Sequence, residues 1–95
     1  EQNSNSLDFI FIKENGVHSK IMHDDILFFE ALGDYVKIQT KDKEYTITST
    51  MKNVEDKLTS NKNFMRVHRS YIVNIKYIEN FDYIKILNYS IPLYQ

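Results

Sequence analysis

The chain predicts a mainly antiparallel β domain with one short helix, and three observations carry that expectation. The apolar segments are short and rich in Phe, Tyr, Ile and Val, as in Phe9–Ile12, Ile26–Leu32 and Tyr35–Thr40. Such side chains fit a pleated, half-buried surface. Turn residues follow these runs closely, at Asn15-Gly16, Gly33-Asp34 and Lys41-Asp42-Lys43. Only the stretch at about residues 50–58 spaces its apolar residues as a helix does. Ninety-five residues, 42% apolar and 14% aromatic, suit one compact domain whose core rests on Phe and Tyr, since Trp is absent.

In chain order, residues 1–7 are polar and read as a linker or cloning remnant, with the domain over 8–95. Phe9–Ile12 starts a strand, Asn15-Gly16 is a type I′ hairpin signal, and Val17–Met22 returns with Val17 and Ile21 on one face. Ile26–Leu32 is apolar on both faces and therefore central. Tyr35–Thr40 turns Val36 and Ile38 inward, and Glu44–Thr48 does the same with Tyr45 and Ile47. Met51, Val54 and Leu58 form one helical stripe capped by Ser49 or Thr50, with Asn61 as a left-handed end. Tyr71–Val73 is a buried strand, and Asn74 satisfies backbone groups in the turn that follows. Ile75–Phe81 and Tyr83–Leu87 are two further strands, and Asn88-Tyr89 turns into a last segment that Pro92 confines to an edge.

Charge is unevenly placed. Net charge is −1, yet Lys57 to Ile78 holds Lys57, Lys62, Arg66, Arg69 and Lys76 and no acid. A local cationic segment of this kind is the footprint of a nucleic-acid-binding face. The absence of cysteine excludes a disulfide framework and thiolate metal sites. No apolar run reaches membrane-spanning length, and no signal peptide is visible. His23-Asp24-Asp25 is a polar connection of metal-like composition, but three consecutive residues under period-two alternation do not aim at one ion. With two glycines there is no phosphate loop, and no catalytic triad or carboxylate pair is legible; the expectation is a non-enzyme without cofactor.

The order of elements and specific residues resemble the LytTR-type DNA-binding domain of LytR/AlgR-type bacterial response regulators. The matching runs are Ile26-Leu27-Phe28-Phe29-Glu30-Ala31 with Gly33-Asp34-Tyr35-Val36, the helix from Met51 to Leu58, the run from Phe64 to Asn74 (FMRVHRSYIVN), and Ile91-Pro92-Leu93. The Phe64–Asn74 run is the specific one. The resemblance implies an elongated antiparallel β fold of small sheets whose loops, rather than a recognition helix, enter successive major grooves of duplex DNA. It further implies direct-repeat targets bound by two protomers, a phosphorylated receiver domain outside these residues, and a cytoplasmic transcription regulator. DNA-facing positions fall at Asp34 and Tyr35, at Thr50 and Lys52, at Arg69 and Ser70, and near Gln95.

Each candidate has a plainer reading beside it. Arg69 can bond guanine O6 and N7 with its guanidinium fork, or form a surface ion pair. Arg66 contacts phosphate or is solvated. His68 donates to DNA or serves as a structural hydrogen-bonder, and Ser70 bonds a phosphate or caps its own turn. Thr50 and Lys52 begin a helix, where free N–H groups favour phosphate, or simply cap it. Tyr35 touches DNA or is partly core, and Lys37 beside it faces outward toward phosphate. Asp34 accepts from cytosine or makes the turn; Gln95 reads adenine or is a frayed end. The rival functions are a single-strand or RNA binder that stacks bases on tyrosines, and a protein-interaction β module that pairs its edge.

Overall fold

The computed structural model describes residues 8–79 and 84–92. Among the described residues, nine strands and one α-helix follow in order: β1 (Phe9–Glu14), β2 (Val17–Met22), β3 (Ile26–Leu32), β4 (Tyr35–Thr40), β5 (Glu44–Thr48), α1 (Met51–Lys57), β6 (Phe64–His68), β7 (Tyr71–Asn74), β8 (Ile84–Ile86) and β9 (Tyr89–Ile91). They form a β1-β2 hairpin, a five-stranded sheet in the order β5-β4-β3-β7-β6, and a β8-β9 hairpin, with every pairing antiparallel. The mainly antiparallel class with one short helix holds. None of the described helices is long and apolar enough to cross a membrane.

Strand β3 is central because both its faces are apolar. One face joins Ile10, Ile12 and Ile21 of the first hairpin and Met51, Val54 and Leu58 of the helix around Ile26, Phe29, Val36, Ile38 and Ile72. The other packs Leu27, Phe28, Val67 and Val73 under Ile84, Ile86 and Ile91 of the last hairpin. Strict alternation would place Ile26 and Phe29 on opposite faces. A register shift between Ile26 and Phe28 inserts one extra residue, so Leu27 and Phe28 turn to the second core and Phe29 returns to the first. Helix α1 crosses the first face from edge strand β5 to edge strand β6, which is why it needs only one apolar stripe.

The turns follow backbone demands. Asn15 and Gly16 have φ of 53° and 80°, the double positive φ of a type I′ hairpin. Gly33 has φ of 62° in the two-residue link between Leu32 and Tyr35, while Asp34 does not share it, the type II′ pattern. Thr50 caps α1, its hydroxyl oxygen accepting from the Asn53 N–H at 3.1 Å.

Several expectations are corrected. Val17 is 62% exposed while Ile21 is buried, because only the latter lies under α1 and the sheet. Asn61 is not left-handed; its Oδ1 accepts from the Asn63 N–H and its amide donates to His23 Nδ1, both at 2.9 Å. Ile75–Tyr77 is a 3-10 turn rather than a strand, and residues 80–83 of the expected strands lie outside the described residues. Asn74 produces that turn. Its Oδ1 accepts from the Lys76 N–H at 3.2 Å and its amide donates to the Ile26 carbonyl at 3.0 Å. Asn74 thus meets the structural role expected of it. The last hairpin turns at Leu87-Asn88, one residue early, and Leu87 takes φ of 53°, a strained value for a side chain of its size.

His23 and its aspartates form a 3-10 turn that connects β2 to β3. His23 is 2% exposed, Asp24 pairs with Lys76 at 3.2 Å, and no metal-binding group of three occurs among the described residues. Burial holds the His23 pKa below its ordinary value, with Asp8 and Asp24 opposing. The Asn61 amide, oriented by Asn63, makes Nδ1 an acceptor, so protonation there breaks a bond. With the folded pKa depressed, the unfolded chain binds the proton first. Stability is therefore full above the unfolded pKa of roughly 6.5 and declines as pH falls toward the folded value. Urea midpoints at pH 7.5 and about 5.5 are expected to show this decline, and His23→Gln to flatten it.

Candidate nucleic-acid interface

Antiparallel register brings three of the four expected contact regions to one end of the central sheet. Tyr35 pairs with Leu32 on one side and Thr48 on the other, so the Gly33-Asp34 turn and the Ser49-Thr50 entry to α1 are neighbours. Tyr71 pairs with Glu30 and with His68, and the Ala31 N–H donates to the Ser70 carbonyl at 2.8 Å. The Arg69-Ser70 turn therefore sits beside the same end of β3. Three loops from distant parts of the chain form one rim.

The β6–β7 turn is held from several directions. Alternation along β6 turns Val67 into the second core, and a register shift between Arg66 and His68 sets His68 against Tyr71, ring centroids 5.7 Å apart. The Ser70 N–H donates to His68 Nδ1 at 3.1 Å, so His68 has the structural task that was one of its two readings. Arg66 spans two partners, the Glu55 carboxylate at 2.7 Å and the Arg69 carbonyl at 2.6 Å. It is an ion-paired brace, an arrangement that neither of its two readings named. Arg69 is exposed, and no described carboxylate lies within ion-pair distance of it.

Neighbouring side chains divide into engaged and available. Lys37 lies between Glu30 at 3.1 Å and Glu44 at 3.8 Å, and the Tyr71 hydroxyl donates to Glu30 at 2.9 Å. Burial, then the bond to Glu30, raises the Tyr71 pKa, so the phenol stays protonated and donating. A phosphate contact by Lys37 must therefore exchange existing partners. Tyr35 is 52% exposed rather than partly core, because period two turns it away from the face that buries Val36. Lys52, Asp34 and Thr50 are exposed, and Thr50 keeps its hydroxyl proton to donate while its oxygen caps the helix. Ser70 is half-buried. Gln95 lies outside the described residues.

Sequence reasoning missed Leu32, 44% exposed beside Tyr35, and Glu55, the partner of Arg66. Leu32 was absorbed into a strand read as wholly buried. Glu55 had a usable signal: four residues after Met51 and three before Leu58, it flanks the stripe that α1 turns to the sheet.

These features define a small antiparallel β domain whose ligand-facing end is a rim of loops bearing an available arginine. The chain belongs to the LytTr DNA-binding domain family, whose model matches residues 18–94. It is 38% identical over 55 residues to the sensory transduction protein LytT of Bacillus subtilis, covering 58% of this chain and 22% of that protein. It is 35% identical over 73 residues to the transcriptional regulatory protein NatR of Bacillus subtilis, covering 77% of this chain and 31% of that protein. The chain thus spans less than a third of either relative. Its fold is shared with the LytTr DNA-binding domain of a response regulator from Bacillus cereus, at a TM-score of 0.76 and 17% identity over 93% of this chain and 87% of that one.

Proposed function

We propose that this domain binds duplex DNA sequence-specifically as the output part of a transcription regulator, with the loop rim entering consecutive major grooves. The observation that carries the reading is the convergence of the 33–35, 49–52 and 68–70 loops on one sheet end, with Arg69 exposed and unpaired among the described carboxylates. Family membership supports DNA as the ligand. Thr50, Lys52 and Ser70 contact phosphates and set the register; Arg69 reads guanine; Tyr35 and Leu32 offer apolar surface to base edges, and Asp34 accepts from cytosine. Gln95 reads adenine from beyond the described residues. Lys37 and His68 order the surface behind the rim and add positive or donor character to it. The role is binding without catalysis. The likeness to a sensory transduction protein and a transcriptional regulatory protein supports control by a receiver domain, and pairing of two protomers on direct repeats belongs to the same proposal.

A competition assay at one fixed salt concentration, followed by a salt titration, tests the reading. Duplex is expected to displace single strand, and log K to fall linearly with log salt with a slope of about −0.9 per phosphate contact. Preference for single strand, or binding indifferent to salt, contradicts it.

A further inference from the structure

Arg66 and Glu55 form a bracket that joins two of the three loops. Glu55 lies on α1, whose first turn carries Thr50 and Lys52, and it takes one guanidinium nitrogen of Arg66 at 2.7 Å. The other terminal nitrogen donates to the backbone carbonyl of Arg69 at 2.6 Å. Glu55 and Arg66 border a cleft of about 400 Å³ between α1 and β6. Arg66 Nε is buried with no hydrogen-bond partner among the described residues. The side chain thus forgoes one solvent bond to reach both partners, a cost set against two charge-assisted ones.

Resting on the DNA-binding reading above, we propose that Arg66 is a positioning residue: clamped by Glu55, it fixes the peptide that carries Arg69 and so sets base discrimination without touching DNA. Arginine suits this task because its planar fork serves two acceptors at fixed angles, where a lysine ammonium holds no fixed direction. A two-point base contact is sensitive to the angle of approach, so a turn free to rotate retains affinity for the backbone but loses preference among bases. The bracket also couples the helix-entry loop to the arginine turn, keeping phosphate register and base readout in step.

The sign of one neutral substitution separates this role from direct phosphate contact. Glu55→Gln removes the clamp's charge and leaves Arg66 in place. Its carboxylate is partly exposed, so the fold should tolerate the change. The ratio of affinity for the preferred duplex over an unrelated one is expected to fall by at least about threefold, toward the loss given by Arg69→Ala. Arg66→Gln is expected to lower the same ratio while leaving the salt slope nearly unchanged. If Arg66 instead grips phosphate, Glu55→Gln tightens all duplexes alike with the ratio unaltered, and Arg66→Gln reduces the slope by about one. Either of those results overturns the bracket. A wild-type chain showing no duplex preference in the same assay would defeat the DNA-binding reading itself, a distinguishable failure.

Discussion

Truncating Phe29 to alanine is expected to lower the unfolding free energy by about 3–5 kcal/mol, the largest effect of any single side chain considered. Phe29 is fully buried and stands where the first hairpin, the central sheet and α1 meet. Its ring also meets that of Phe64 edge-to-face, centroids 5.8 Å apart, a geometry that contributes beyond area alone. The surrounding Ile10, Ile21 and Ile38 come from three strands in two sheets, so the site cannot collapse without moving both. For a small domain with a total stability of about 5–15 kcal/mol, that loss is a large fraction. Urea unfolding measures it. The midpoint should drop with the slope unchanged, whereas a loss near 1 kcal/mol would mean that the two layers are not joined at this residue.

Replacing Arg69 with alanine is expected to weaken the preferred duplex by about 1–3 kcal/mol, roughly 5- to 150-fold, with a smaller loss on unrelated sequences. The unequal loss matters more than its size. A bidentate contact to guanine carries sequence information, and a phosphate contact does not. Because Arg69 has no described carboxylate partner and an exposed side chain, its removal should leave stability nearly untouched. Binding and unfolding curves taken on the same sample separate the two effects. Equal loss on all sequences would reduce Arg69 to a phosphate contact.

Much of the fold was legible because hydrophobic period and turn chemistry are local. Ile26–Leu32 had no polar face and had to be central. Asn15-Gly16 and Gly33 announced their hairpins through the φ angles they permit. The FMRVHRSYIVN run supplied the family. What escaped was set by contacts distant in sequence. The bulge at Leu27 carries no Gly or Pro to mark it, and it exists because two cores demand Ile26 and Phe29 on one side. Ile75 and Tyr77 alternate like strand residues, but Asn74 bonds both the local turn and the Ile26 carbonyl and bends the chain there. The acid-free window around Arg69 was real. The partner of Arg66 nonetheless came from outside it, across the helix–sheet cleft.

Duplex DNA is proposed to meet the rim formed by the 33–35, 49–52 and 68–70 loops. Backbone amide chemical shifts followed during titration with the selected duplex test it most directly. The largest changes are predicted at Gly33, Tyr35, Thr50, Lys52, Arg69 and Ser70, all at one end of the central sheet. Changes concentrated instead at Lys41 to Lys43, the hairpin at the opposite end, or along β8 and β9 would contradict it.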